Sequence, residues 1–258
     1  MATPAVSVAE ADSILTVTFE RDEKLNALSP EMTETLAEAV EQVGSRADLR
    51  ALVIQARGRY FTAGVDLRAA SPATTAGTGS EFRRLYRRYH LLYDEIEALE
   101  KPVALAAQGP CLGAGLEMAS SCDFRFASTA ATFRLPEVSL GTIAGSGGVS
   151  RLTTLVGPHW AKWIAMADRT VDAERALMIG LVHEVFPVEG FHERVHDVMR
   201  EIASLPPEAV AASKLAIQMV TEVGRATARD VERLANTHLV FGPEFAEANR
   251  AFLERPPR

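Results

Sequence analysis

Short apolar runs rich in branched residues recur through the first half of the chain and give way to helical patterns beyond Trp160. Ser13–Phe19 (SILTVTF), Leu49–Ala56 (LRALVIQA), Pro102–Gly109 (PVALAAQG) and the CDFRFAS run from Cys122 all read as strands. Between the first two, Pro30 opens a helix running to about Val43, with Ser29 as its N-cap. After Trp160, apolar residues recur at three and four spacing through Phe191–Ile202, Ala209–Val220, Val231–Leu239 and Phe245–Leu253. Strand, helix, strand, helix, then helices alone describes an α/β chain with a helical C-terminal third.

At 258 residues and 47% hydrophobic, the chain can bury one large core, with or without an appended piece. Its net charge of −7 argues against broad nucleic-acid binding, which needs a basic face. A single anionic small ligand is still permitted, because a few local arginines suffice. Two cysteines, Cys111 and Cys122, make no disulfide framework and suit a reducing compartment. No apolar run approaches the ~20 residues that span a bilayer. The opening MATPAVSVAEAD has neither the basic start nor the apolar centre of a signal peptide. SKL occurs only internally, at Ser213–Leu215, where it is no peroxisomal address. A cytoplasmic protein with no nucleic-acid or membrane partner is expected.

One segment breaks the alternation. Ala69–Glu81 (AASPATTAGTGSE) is small, polar and rich in breakers, so it reads as a long loop, either a surface insertion or a lid beside a site. Behind it Phe82, Leu85, Tyr89, Leu92, Ile96 and Leu99 form one helical stripe. Arg83, Arg84, Arg87 and Arg88 lie mostly off that stripe and read as a solvated face.

Three stretches carry chemistry. Gly109–Asp123 (GPCLGAGLEMASSCD) joins a glycine turn to a helix start, yet it is no nucleotide motif. The third glycine of a dinucleotide fingerprint would fall at Met118, and the Gly-Lys-Ser/Thr of a P-loop is missing. Backbone N–H groups around Ala114 would instead favour a negative charge, including one that develops only during reaction. In Gly58–Leu67 (GRYFTAGVDL), Ala63 and Gly64 allow close backbone approach, and the Val65 N–H is a second candidate donor. Ala131–Gly148 places Glu137 after a proline, twenty positions beyond Glu117. Two carboxylates beside two such donors suit proton transfer around a carbonyl's α and β carbons. Each turn alone is equally compatible with plain strand-to-helix geometry, and any two of 34 acidic residues prove nothing.

In this order and spacing the stretches resemble the enoyl-CoA hydratase/isomerase family, the crotonase superfamily. The resemblance spans most of the chain and includes RDEKLNALSPEM, RALVIQARGRYFTAGVDL, KPVALAAQGPCLGAGLEMASSCDFRFAS, FRLPEVSLGTIAGSGGVSRL and FAEANRAFLERPP. It implies a spiral of ββα turns over residues 1–195, carrying the site, and a helical region over 196–258 that packs subunits into trimers or dimers of trimers. The Val65 and Ala114 N–H groups would bind the thioester oxygen. Glu117 and Glu137 match both glutamates of hydratases, one activating water for Cβ and the other protonating Cα, the family pattern favouring Glu137 for the proton. Lys24, Leu25 and Ala27 would follow the CoA chain, Ala63 would lie near the adenine, and Arg68 would meet a CoA phosphate. Gly64, Asp66 and Leu67 belong to the same CoA-contacting strip. CoA is part of the substrate, so no separate cofactor is expected.

Departures from the family pattern bear on specificity. Arg134 replaces a frequent glycine, Leu135 a frequent polar residue and Ala144 a frequent proline. Gly145 stands where dienoyl-CoA isomerases carry a further acid, and a Δ3,Δ2-enoyl isomerase typically lacks the acid that is Glu117 here. Both features tilt the reading toward hydration. HERVH at His192–His196 satisfies a zinc-protease pattern as a bare motif, with both histidines on one helical face. Its place after LVHEVFPVEG, at the family's junction of core and helices, favours two ordinary histidines on a solvated face, and no metal is expected.

Overall fold

The computed structural model describes residues 4–69 and 78–254. The chain divides into two units, Met1–Ala203 and Ser204–Arg258. In the first, β1 (Val6–Ala11), β2 (Ile14–Phe19), α1 (Pro30–Ser45), β3 (Ala51–Ala56), α2 (Gly79–Ala98) and β4 (Val103–Ala107) come first. Then follow β5 (Cys111–Leu112), α3 (Ala114–Ser121), β6 (Phe124–Ser128), β7 (Thr132–Arg134), a 3-10 turn Pro136–Leu140 and α4 (Gly148–Ala161). β8 (Val171–Asp172), α5 (Ala173–Met178), β9 (Glu184–Phe186) and α6 (Phe191–Ala203) complete it. This is the expected α/β class.

Six strands form one sheet in the order β1-β2-β3-β4-β6-β9. Only β1 and β2 pair antiparallel; the remaining neighbours run parallel, with Val17 opposite Ile54, Ile54 opposite Leu105, and Ala106 opposite Phe126. Parallel strands need cover on both faces, which explains their nearly unbroken apolar runs. Leu15, Val17, Phe19, Leu52, Ile54 and Leu105 share a core with Met32 and Leu36 of α1 and Tyr93 and Ile96 of α2. Ile14, Val53, Ala104 and Phe126 share another with Phe191, Val195 and Met199 of α6. A smaller sheet, β5-β7-β8, stands apart and pairs Leu112 with Arg134.

Local signals account for the helix starts. The Ser29 hydroxyl accepts the Met32 N–H at 3.4 Å and Pro30 occupies the first turn of α1. Thr78 caps α2 in a reciprocal box: its N–H donates to Glu81 Oε2 at 2.7 Å, and its hydroxyl accepts the Glu81 N–H at 3.4 Å. The breaker-rich segment therefore ends as a helix cap and first turn instead of staying loop to Glu81; residues 70–77 lie outside the described residues. On α2, Leu92, Ile96 and also Tyr93 are buried, while the four arginines are exposed, as expected for a solvated face.

Five strands are not legible in the sequence: β5 and β7, of two and three residues, lie inside the chemistry-bearing stretches, and the other three are β8, β9 and β1. β8 and β9 hold two and three residues, too few to show a period. β1 is an edge strand whose residues are mostly exposed, so it lacks the apolar run that marks the others.

The second unit holds α7 (Pro207–Glu222), α8 (Arg225–Val240) and α9 (Pro243–Leu253), with proline in the first turn of two of them. Large apolar side chains on and beside these helices stay exposed in the single chain, among them Ile217 at 70%, Leu234 at 73% and Phe241 at 86%. Among the described residues no helix is long and apolar enough to cross a membrane.

Candidate active site

The two glycine turns found in the sequence meet in space. A Cβ placed on Gly64 would stand 3.1 Å from the Leu112 carbonyl oxygen and 3.6 Å from the Ala114 nitrogen. Thr62 stitches the turns together: its N–H donates to the Pro110 carbonyl at 3.2 Å, and its own carbonyl accepts the Leu112 N–H at 3.0 Å. Its hydroxyl donates to the Asn26 carbonyl at 2.7 Å and accepts the Gly64 N–H at 3.1 Å. Asn26 is fully buried at φ +52 and donates its side-chain amide to the Arg57 and Tyr60 carbonyls, both at 2.8 Å.

Around this seam most backbone donors are engaged. Leu28 N–H donates to the Gly64 carbonyl, Asp66 N–H to the Leu28 carbonyl, and Gly113 N–H to the Arg134 carbonyl, at 2.8, 3.0 and 2.9 Å. Among the hydrogen bonds of the described residues, neither the Val65 nor the Ala114 N–H has an acceptor. Ala114 opens α3, so its N–H carries the positive end of the helix dipole. The Tyr93 hydroxyl donates to the Ala114 carbonyl at 3.0 Å and braces that helix start from inside the core.

Both glutamates reach the same place. Gly113 adopts φ +54 and ψ −123, and a Cβ there would fall 2.8 Å from Glu137 Oε1, so only glycine fits. Glu117 lies one helical turn inside α3 and is 3% exposed; its Oε1 accepts the Ser146 N–H at 2.7 Å, with the Gly148 N–H also directed to it. Burial pushes this carboxyl up to about 7, and the neighbouring Glu137 adds to the rise while the two N–H groups oppose it. Glu137 is also raised, first by burial and further by Asp168. Its Oε2 is buried with no hydrogen-bond partner.

Tyr86 was not singled out as a site residue. A Cβ on Gly145 would lie 3.0 Å from its ring, and its phenol is raised by burial and then by Glu117. Phe82, Tyr86, Tyr89, Tyr93 and Ile96 repeat at four-three spacing, a second stripe on α2 that could have revealed it. His90 bonds the Gly145 carbonyl through Nε2, so α2 holds the 145–146 backbone at two points. Ser146 and Thr62 lie within two of the chemistry-bearing stretches, but nothing in their spacing points to these roles.

The expected CoA strip is contiguous. Ala63 N–H donates to the Leu25 carbonyl at 2.9 Å and Ala27 N–H to the Lys24 carbonyl at 3.0 Å, so residues 24–27 and 63–66 run together. Lys24, Leu67 and Arg68 are exposed. Asp66 is ion-paired to Arg21 at 2.8 Å and accepts the N–H groups of Arg68 and Ala69. That pairing holds its carboxyl below the usual range. Arg21 was missed, since only the fold brings it to Asp66.

The departures from the family pattern do not crowd the glutamates. Arg134 forks onto Asp168, with Nε and Nη2 each 2.6 Å from a carboxylate oxygen, while Leu135 and Ala144 are buried in the core. The HERVH histidines part company: His196 Nδ1 lies 3.9 Å from Asp12, and His192 Nε2 is buried without a partner. Among the described residues no three His, Cys, Asp or Glu side chains gather as metal ligands. A groove of about 1090 Å³ between α1 and α2, lined by Thr33, Val40, Tyr89 and Leu92, contains neither glutamate, so volume does not mark the chemistry.

The family model for enoyl-CoA hydratase/isomerase matches residues 9–257. The chain belongs to this family. A crotonyl-CoA hydratase from Syntrophomonas wolfei is 34% identical over 263 residues, covering 99% of this chain and 97% of that protein. A short-chain-enoyl-CoA hydratase from Clostridium acetobutylicum is 32% identical over 243 residues, covering 94% and 92%. The crystal structure of an enoyl-CoA hydratase from Bacillus anthracis superposes with a TM-score of 0.91 at 30% identity, over 99% of this chain and 98% of that one. Other relatives are named for different reactions. A 4-chlorobenzoyl coenzyme A dehalogenase from Arthrobacter sp is 29% identical over 98% of this chain and 92% of that protein. A Delta(3,5)-Delta(2,4)-dienoyl-CoA isomerase from Pongo abelii is 32% identical over 78% and 64%. The family is therefore enzymatic and acts on coenzyme A thioesters, through more than one reaction.

Proposed function

We propose that this protein is an enoyl-CoA hydratase, adding water across the 2,3 double bond of a trans-2-enoyl-CoA to give a 3-hydroxyacyl-CoA. The observation that carries the reading is the convergence of two raised carboxyls on a seam with two unpaired backbone N–H groups. Val65 and Ala114 would donate to the thioester oxygen as it becomes an enolate; removing one such donor typically costs ~10²–10³ in rate. Glu117, near 7, lends and takes a proton at neutral pH: it would draw the proton from a water attacking Cβ. Glu137 would deliver a proton to Cα, and its unpaired Oε2 is free to do so. Lys24, Leu25, Ala27, Ala63, Gly64, Asp66, Leu67 and Arg68 would line the CoA moiety, with Arg68 free in solvent to meet a phosphate.

The apolar faces left open on α7 to α9 favour self-association; the reading takes the assembly to be a trimer or a dimer of trimers and its place to be the cytoplasm. A second reading, double-bond isomerisation on the same scaffold, draws on the isomerase among the relatives. Gly145, packed on Tyr86, offers no third acid, and Glu117 is retained; both favour hydration.

The test is mass spectrometry of a short trans-2-enoyl-CoA incubated with pure protein, beside a Glu117→Gln, Glu137→Gln double variant. A gain of one water with the native protein alone supports hydration. Silence across acyl lengths overturns it, and double-bond migration that survives Glu117→Gln moves isomerisation ahead.

A further inference from the structure

We infer that Arg134, Asp168 and Ser139 form a clamp that positions Glu137, a device of this chain built on a residue where the family pattern has glycine. The inference rests on Glu137 being the acid on the α-carbon side of the site.

Three contacts meet at this clamp. The Arg134 guanidinium grips the Asp168 carboxylate with two hydrogen bonds of 2.6 Å, a planar fork that fixes orientation as well as distance. Ser139, two residues past Glu137 on the same 3-10 turn, donates its hydroxyl to Asp168 Oδ2. The Arg134 carbonyl accepts the Gly113 N–H at 2.9 Å, one residue before the unpaired Ala114 donor. Arg134 thus joins the turn bearing Glu137 to the turn bearing the candidate oxyanion donor. The turn that carries Glu137 is thus tied on both sides of it, through Arg134 before and Ser139 after, while Oε1 lies where a Gly113 Cβ would stand and Oε2 has no hydrogen-bond partner.

The arrangement also has an electrostatic side. Asp168 adopts φ +53, a left-handed conformation that aspartate tolerates better than most L-residues. Arg134 and then Ser139 hold its carboxyl down to about 2, so it is ionised throughout the working range. Besides burial, the groups acting on Glu137 are its own backbone N–H, which lowers it, and Asp168 on the clamp, which raises it; Glu137 in turn raises Glu117 on α3 and Tyr86 on α2, and Arg169 faces Asp168 beside Arg134. A fixed negative charge beside Glu137 favours its protonated form, the form that donates.

Carbon-13 NMR of the full chain, labelled at glutamate side-chain carboxyls and assigned with Glu137→Gln, reads the clamp without requiring turnover. Asp168→Asn keeps a hydrogen-bonding partner but removes the charge, so the Glu137 midpoint moves to lower pH. Arg134→Gln strips Asp168 of its counter-charge, so the midpoint moves to higher pH. A loosened scaffold would shift both variants the same way, and that result, or no shift in either, overturns the clamp. Ser139→Ala keeps both charges and provides a milder variant should the others fail to fold; it lowers kcat with KM and midpoint unchanged, and an unchanged kcat counts against the clamp. In a hydration assay Asp168→Asn loses about tenfold in kcat with KM within about twofold, the pattern of misplacement rather than lost binding. Opposed midpoint shifts in a protein that hydrates no enoyl-CoA would sustain the clamp and sink the hydratase reading alone.

Discussion

The two acid-bearing turns are built on opposite plans. Glu117 belongs to α3, whose eight residues are all buried, and its carboxylate is met head-on by backbone N–H groups of the 146–148 loop. Glu137 belongs to a 3-10 turn with no fully buried residue, and its Oε2 meets no donor. Two N–H groups from a distant loop meet Glu117, whereas Glu137 is met only by its own backbone N–H and stands beside the charged Asp168. The difference suits two tasks. An acid that must exchange protons near neutrality gains from N–H groups that oppose part of its desolvation. An acid that must hand over a proton gains from an uncommitted oxygen.

The largest expected effects test whether both turns are needed. Glu117→Gln and Glu137→Gln should each lower kcat for hydration by about 10²–10⁴, the usual worth of a general acid or base. A near-native rate in either variant would break the symmetry of the pair. Next come the glycines facing the two carboxyls. Gly113→Ala drives a methyl to 2.8 Å from Glu137 Oε1 and forces φ +54, while Gly148→Ala places one 2.6 Å from Glu117 Cγ. Each should cost about 10²-fold in kcat, as expected for a displacement of roughly 1 Å in a catalytic group. Circular dichroism melts would separate that loss from unfolding.

A smaller effect appears in stability. Glu117 rises from 4.5 to about 7 on folding, so the native state binds the extra proton between those values. Stability therefore falls as pH increases through that window and levels off above it. Relative to the native chain, Glu117→Gln should be more stable at pH 8 than at pH 4, by up to about 3 kcal/mol, measured by urea denaturation at both. Equal differences at the two pH values would refute the buried, raised acid. Tyr86→Phe should be mildest: it keeps the ring on Gly145 and loses only the phenol, a fall of about 2- to 10-fold in kcat/KM. A larger loss would make Tyr86 a third member of the comparison.

Much of this was legible from residue pattern. Strands such as Leu49–Ala56 announced themselves because parallel strands are apolar on both faces, and Ser29-Pro30 announced a helix start through capping chemistry. Ala63 and Gly64 are legible because small residues beside a strand end invite close backbone approach. Other features stayed hidden for definite reasons. β9 is too short to carry a period, β1 is too exposed, and Thr78 and Glu81 form their capping box inside a stretch whose composition reads as loop. Tyr86 is hidden because two apolar stripes overlap on α2, and the one through Phe82, Leu85 and Leu92 does not include it.

By itself, then, the sequence determined the alternation of buried strands and helices, the glycine turns and the candidate acids, since periodicity, capping and backbone freedom act over a few residues. Pairing across the chain was decided only by the tertiary structure. Ser146 N–H reaches Glu117 across 29 positions, Arg134 reaches Asp168 across 34, and Arg21 reaches Asp66 across 45. No local propensity encodes such distances. They follow from sheet order and from which faces must be buried together, and that burial is what raises the glutamates toward the range where they can move protons.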